Sequence, residues 1–408
     1  MTSTDKALKQ RAELTYKANK NTGRHGWLRL TPAYSMKLVR EQLSVLPEGS
    51  MVLEPFSGSG TTPLTAQEMN LRCEAREINP FLVWFGNAKL AYYSNKVIDD
   101  FTQAAIQVWK AARGELFNEY WTPPIFKIEK WWNPATLKAL AAVKHHINEY
   151  DGQVRDLLNV AFCRIMIGTS NASFNHQSMS FKTVAEYDSK NAQHDYEHVL
   201  TAFKDASEFM LETLSIPMSN TSRIQEGDST TEFTGFEPAD LVITSPPYVN
   251  RMSYIRELRP YMYWMGFLDN GAAAGELDWK TTGGTWGSAS TKVKTWEPVG
   301  NTPVDEELEA VCTQILEGKS GQILSPYVRK YFHDMWKHFK AITPVVKSGG
   351  KLCYIVGNST FSGNIVPAQQ WYADMMSALG YQDVHIDTIR KRNSNKQLFE
   401  FAVCATKA

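Results

Sequence analysis

One stretch constrains the fold more than any other: Met51-Val-Leu-Glu-Pro-Phe-Ser-Gly-Ser-Gly-Thr-Thr62. A short β-like run over residues 51–53 passes through Gly58 and Gly60 as a tight loop and enters a helix. Thr61 or Thr62 is placed as its N-cap, and Pro63 sits in its first turn. Strand, glycine turn and helix make the nucleotide-binding corner of a doubly wound sheet. The dinucleotide fingerprint has a further glycine three positions after Gly60, where this chain has Pro63, so a ligand without a phosphate fits better than a pyrophosphate. A second strand over residues 71–77 ends on Glu77, at the spacing where such folds place the carboxylate that binds ribose hydroxyls. Residues 222–229 read as a third strand ending in Gly227-Asp228, where Asp228 either accepts from an adenine amino group or simply forms a turn.

The second constraining stretch is Thr244-Ser-Pro-Pro-Tyr248, which closes the apolar run 239–243. Two consecutive prolines remove two backbone donors and fix two φ angles. What faces outward is a row of acceptors: the Ser245 hydroxyl and the carbonyls of Ser245 and Pro246. Such a set suits a planar –NH2 group, and Tyr248 adds a ring on which a flat heterocycle can stack. Ser-Pro-Pro-Tyr by itself is also found as a linker turn or a ligand of SH3-type domains, but linkers do not follow a strand-like run such as Asp240-Leu-Val-Ile-Thr244.

The ordered set Glu54-Pro-Phe-Ser-Gly-Ser-Gly60, Glu77-Ile-Asn-Pro80, Gly227-Asp-Ser229 and Thr244-Ser-Pro-Pro-Tyr248 resembles the amino-group DNA methyltransferases of bacterial modification systems. The resemblance implies a Rossmann-like, S-adenosylmethionine-dependent α/β fold with a mixed seven-stranded sheet and a helical insert. By the same resemblance Glu54, Pro55, Phe56, Gly58, Gly60, Thr61, Thr62, Glu77, Asn79, Asp228 and Ser229 line the cofactor, while Ser245, Pro246, Pro247 and Tyr248 hold a base that has left its stack. Serine as the first residue of the proline motif is typical in that family of enzymes acting on the exocyclic N4 of cytosine; adenine N6 is the close alternative, since a hydroxyl accepts from either amine. RNA, a protein glutamine amide and a catalytically silent nucleic-acid-binding relative are the remaining classes. Residues 30–37 resemble the family's N-terminal cofactor element, with Tyr34 where a lysine is usual. Double-stranded DNA is the implied partner, and a restriction endonuclease acting on the same site is its natural companion.

Charge is balanced, with 43 basic and 43 acidic side chains, so no global nucleic-acid signature exists. Local enrichment falls on Lys17, Lys20, Arg24, His25, Arg29, Lys37 and Arg40 and on the tip 390–396, whose Arg390 and Arg392 are candidates for phosphate contact. Five scattered cysteines form no CxxC pair, which favours a reducing compartment over disulfides or structural zinc. No secretory or membrane-spanning run is present, and a cytoplasmic location is expected.

Along the chain, residues 1–23 read as a helix or loose arm, 24–95 and 220–408 as the catalytic domain, and 96–219 as a mainly helical insert. Apolar spacing near 3.6 marks helices over 101–112, 136–144 and 156–167. The sheet resumes after the insert, with further strands over 350–357, 383–388 and 400–405, the last two an antiparallel pair. The insert far exceeds what a crossover needs; it is a target-recognition element, a lid or a dimer surface, with 170–177 and 180–182 as polar contacts for the first of these. His145-His146 diverge on a helix and read as solvated residues, not metal ligands. Residues 281–296 are flexible by composition but carry Trp286, Trp296, Lys292 and Lys294, which suits closure over an extruded base. Asn250 and Tyr254, just after the proline motif, are assigned to the same cleft.

Overall fold

The computed structural model describes residues 11–20, 22–28, 33–173, 180–181, 187–216, 218, 221–392 and 397–408. Seven strands form one sheet: β1 (Met51–Glu54), β2 (Arg72–Glu77), β3 (Ser222–Glu226), β4 (Ala239–Thr244), β5 (Val346–Gly357), β6 (Tyr381–Lys391) and β7 (Phe399–Lys407), in spatial order β6-β7-β5-β4-β1-β2-β3. β1 pairs in parallel with β2 and β4, β2 with β3 and β4 with β5, while β7 runs antiparallel to both β5 and β6. The strand order reverses at β1/β4, the switch point where open α/β sheets bind ligands beyond the carboxyl ends of their strands. The mixed seven-stranded sheet and the antiparallel final pair expected from the sequence are present.

Among the described residues, twelve helices of eight or more residues cover or extend the sheet: α1 (Met36–Leu43), α2 (Thr61–Glu68), α3 (Pro80–Leu90), α4 (Asn95–Ala112), α5 (Pro134–Ile147), α6 (Gly152–Met166), α7 (Ala192–Leu214), α8 (Tyr254–Trp264), α9 (Gly271–Lys280), α10 (Asp305–Leu316), α11 (Gly321–Ile342) and α12 (Ala368–Ala378). α2 starts one residue earlier than its threonines suggest: Gly60 is the N-cap, at φ 76°, with Thr61 already helical. Glycine is needed there twice over, because a Cβ would also come within 3.2 Å of Ile224 Cδ1.

α4–α7 occupy the β2–β3 connection. They do not form a separate knob: one core joins Phe81 and Phe85 of α3, Phe101 of α4, Leu140 of α5, Phe162 of α6 and Phe203 of α7 to Tyr261, Met262 and Trp264 of α8. Trp264 lies at its centre, 1% exposed. The Trp132 and Phe162 rings meet it edge to face, 6.1 and 5.4 Å away. α8 follows directly on the proline motif, so the helical insert and the motif share one packed body. A second core lies against the strands under α10, α11 and α12.

Several expectations are corrected. Residues 11–20 are not a loose arm: Thr15 bridges Tyr34, and the buried Asn19 donates to the Tyr34 carbonyl (2.9 Å) while accepting from the Met36 amide (2.9 Å). The N-terminal basic cluster is divided: Lys17, Lys20 and Lys37 are exposed, whereas Arg24 and His25 are buried. Arg24 is buried and donates to the carbonyls of Lys89 and Ala91, and Arg40 pairs with Glu68 at 2.7 Å. His145 is exposed as expected, stacked on Tyr120, whereas His146 is half-buried and engages Glu115 at 2.9 Å and Glu149 at 3.1 Å. Arg29 and most of 174–186 lie outside the described residues.

If insert and sheet are one cooperative body, Trp264→Ala should cost about 3–5 kcal/mol and unfold both together. Calorimetry with far-ultraviolet circular dichroism checks this; a helical transition lost separately from an unchanged sheet transition would contradict it.

Candidate active site

The carboxyl ends of β1, β2, β3 and β4 open onto one cavity of about 850 Å³ including its mouth. Its lining brings together the two stretches that the sequence separates by almost two hundred positions: Pro55, Phe56, Ser57 and Gly58 from the glycine loop, and Ser245 and Pro247 from the proline motif. Tyr34, Thr61, Glu77, Asn79, Asp228, Ser229 and Tyr254 also line it, as expected.

The loop geometry comes from a carboxylate. Glu77 ends β2 and accepts from the Gly58 amide (2.7 Å) through one oxygen and from the Asn79 amide (2.9 Å) through the other. Burial pushes its carboxyl above the usual range, opposed by those amide bonds. Each carboxylate oxygen retains a further lone pair, so the group can hold the loop and still accept from a ligand hydroxyl. Gly58 is at φ 52°, and a Cβ built there meets no protein atom within 4 Å. Asp228 accepts from the amide and hydroxyl of Thr230, both at 2.8 Å, through the same oxygen.

Glu54, Gly60 and Thr62, expected to line the cofactor, lie beneath the loop instead. Glu54 is fully buried and accepts from Tyr34 Oη (2.8 Å), Thr62 Oγ1 (2.6 Å) and the Phe56 amide (3.1 Å). Burial pushes its carboxyl up to about 7, against the lowering effect of these donors. Its role is to tie the Tyr34 segment to the first turn of α2. Ser229 and Asn79 line the cavity with their polar groups occupied: Ser229 donates to the Pro55 carbonyl, and Asn79 Oδ1 caps α3 through the Phe81 amide at 3.0 Å.

The proline motif is held from behind. Tyr331 of α11 donates to the Pro247 carbonyl (2.7 Å), and the Arg251 amide donates to Tyr327 Oη (3.0 Å). Pro246 and Tyr248 are not in the cavity wall. The Tyr248 hydroxyl turns to Glu400 of β7 (2.8 Å), and the Arg392 guanidinium covers its ring at 4.9 Å. Asn250 lies just outside the wall, its side chain accepting from the Met252 amide at 3.0 Å.

The candidates for phosphate contact fare unevenly. Arg390 is committed to Glu400 by two bonds of 2.6 and 3.0 Å, and Arg392 donates to the Asn358 carbonyl (2.9 Å). Lys292 is paired with Glu276 at 2.6 Å, whereas Lys294 is exposed. Trp286 is half-buried under the Arg259 guanidinium at 5.4 Å.

Sequence reasoning missed Ala33, Ser57, Ser59, Ile78, Leu82, Ile255 and the segment Lys280–Thr282, all in the cavity wall. The last of these reverses the reading of 281–296 as flexible. Asp278, fully buried, accepts from the Ser253 hydroxyl (2.5 Å) and the Trp286 amide (2.7 Å). A Cβ on Gly284 would lie 1.8 Å from the Asp278 carbonyl oxygen, so the turn that lays Thr281 and Thr282 across the cavity requires glycine. Thr-Thr-Gly-Gly was the available signal: paired glycines mark close backbone approach as well as mobility.

The residues present fit S-adenosylmethionine. Ser57 contributes a buried hydroxyl with no protein partner among the described residues, Glu77 and Asp228 contribute carboxylates, and the rest of the wall is mainly apolar. Strand order, glycine loop and cavity define a Rossmann-like methyltransferase fold.

No family model matches the chain. Over 95% of its length it is 22% identical to the Type II methyltransferase M.BsoBI of Geobacillus stearothermophilus, and the match spans 85% of that protein. Among solved structures it is similar to TrmN from Thermus thermophilus, with 9% identity and a TM-score of 0.30 over 91% of this chain and 48% of that one. It is also similar to the rRNA methyltransferase aviRa from Streptomyces viridochromogenes, with 11% identity and a TM-score of 0.31 over 97% of this chain and 96% of that one. At such TM-scores the fold assignment rests on the strand order itself. No helix among the described residues is long and apolar enough to cross a membrane.

Gly58→Val puts a branched side chain at a positive φ and into the cavity, so cofactor affinity measured by calorimetry should fall at least about tenfold, 1.4 kcal/mol. Wild-type affinity would refute the loop assignment.

Proposed function

We propose that the protein is an S-adenosylmethionine-dependent DNA methyltransferase that modifies the exocyclic N4 of a flipped-out cytosine in double-stranded DNA. The observation that carries this reading is the shared cavity: Ser245 and Pro247 face the same space as the glycine loop, Glu77 and Asp228. The similarity to a Type II methyltransferase over 95% of the chain supports DNA as the substrate; a restriction-modification setting, a companion nuclease and action in the cytoplasm are part of the same proposal.

The chemistry asks for positioning more than for a strong base. An exocyclic amine is a poor nucleophile because its lone pair is delocalised into the ring. Hydrogen bonds from the amine hydrogens to acceptors of Ser245, which lies in the cavity wall, favour a pyramidal nitrogen with its lone pair free. The bound cofactor would supply a methyl group on a positively charged sulfur, so that the N–C bond would form as the S–C bond breaks and the methylated nitrogen would pass its proton to water. Serine, with no strong basicity, is sufficient for this, and its place at the head of the motif is what favours cytosine over adenine in the family it resembles.

Mass analysis of nucleosides from DNA treated with the purified protein and cofactor should reveal N4-methylcytosine. N6-methyladenine would move the assignment to the other amine, and label incorporated only into RNA or a protein amide would replace DNA as the substrate.

A further inference from the structure

The serine hydroxyl at the head of the motif poses a problem that the reading above leaves open. A hydroxyl is both donor and acceptor, and an amine that must surrender its lone pair to a methyl group needs an acceptor only. If the serine proton pointed at the amine nitrogen, it would occupy the very lone pair required.

A chain of three side chains fixes the direction. Glu400 on β7 is buried at 4% exposure and gripped by Arg390 through two bonds of 2.6 and 3.0 Å. Held in that ion pair, its carboxylate offers only acceptors. Tyr248 Oη lies 2.8 Å from Glu400 Oε1 and must therefore donate its single proton there. Burial, with Glu400 alongside, pushes the phenol well above its ordinary range, so the proton stays on it. Only lone pairs remain on Tyr248 Oη, and Ser245 Oγ, 3.4 Å away, donates to them. That contact is long for a hydroxyl pair and has room to tighten in a filled site.

We propose that Glu400 is a positioning residue that acts through Tyr248 to turn the Ser245 proton away from the cavity, leaving the Ser245 lone pairs as a fixed acceptor for the substrate amine. This rests on the reading of the cavity as an amino-group methyltransferase site. It also accounts for the orientation of Tyr248, whose hydroxyl points to β7 while the cavity is walled by Ser245 and Pro247. Arg390 serves the same chain by holding the Glu400 carboxylate in place.

The test uses full-length Tyr248→Phe, Glu400→Gln and the double variant in single-turnover methylation of duplex DNA, with cofactor affinity measured alongside. Tyr248→Phe keeps the ring and leaves the Glu400–Arg390 pair intact, so it serves even if Glu400→Gln folds poorly. Each single variant should lose about 100-fold in the methyl-transfer rate while binding cofactor within about twofold of wild type. Because both act through one chain, the double variant should be no slower than Tyr248→Phe within about twofold. Singles that keep the wild-type rate, or losses that multiply in the double, would overturn the assignment while leaving the methyltransferase reading standing. A wild type that binds cofactor but transfers no methyl group to any nucleic acid would overturn both.

Discussion

The parallel pairing of β1 with β4 is the contact on which the rest of the molecule depends. Val52 sits opposite Leu241 and Leu53 opposite Val242, both strands fully buried at these positions. The register delivers two chain segments of opposite chemistry to neighbouring strand ends. β1 runs out into a glycine loop that exposes backbone and a lone serine hydroxyl. β4 runs out into prolines that suppress backbone donors and leave acceptors. Neither segment makes a site by itself, and one residue of slip would turn the alternate side chains of β4 away from their neighbours.

Around this junction, buried carboxylates act as spacers. Glu54 ties the Tyr34 segment to α2, Glu77 braces the glycine loop, Asp278 holds the Lys280–Thr282 crossing, and Glu400 fixes Tyr248. Each stands where backbone amides or hydroxyls would otherwise lack acceptors, and an unmet buried donor costs about 1–3 kcal/mol. Their placement also explains why so few polar groups project into the cavity: most are consumed in building its wall. The hydroxyls of Ser57 and Ser245 and the outer lone pairs of Glu77 and Asp228 are among the groups left available to ligands.

Much of this was legible in the sequence, because the glycine corner and the proline motif are local. Glu77, Asp228 and Ser245 fall in the cavity wall where strand-end logic puts them, and Tyr254 joins them from the helix after the proline motif. The failures share a cause. Glu54, Thr62 and Arg390 are polar residues at strand or helix ends, and nothing local tells whether such a group points into a cavity or beneath it. By sequence Arg390 is a candidate for phosphate contact, yet its partner Glu400 sits ten residues away across a hairpin, in register with it on β7. The segment 281–296 looked mobile because composition does not show Asp278 waiting to receive its amides. The helical insert was separated from the catalytic domain by its length, whereas its apolar faces close on α3 and α8, a match that only the assembled fold displays.

The central claim is spatial, and a crystal structure with the cofactor analogue sinefungin tests it most directly, because that molecule carries an amine in place of the transferable methyl. The nucleoside should lie between Glu77 and Asp228, the amino-acid end along the glycine loop, and the analogue's amine should be directed at Ser245. Density for the analogue outside this cavity, or within it with the amine turned away from the proline motif, would contradict it.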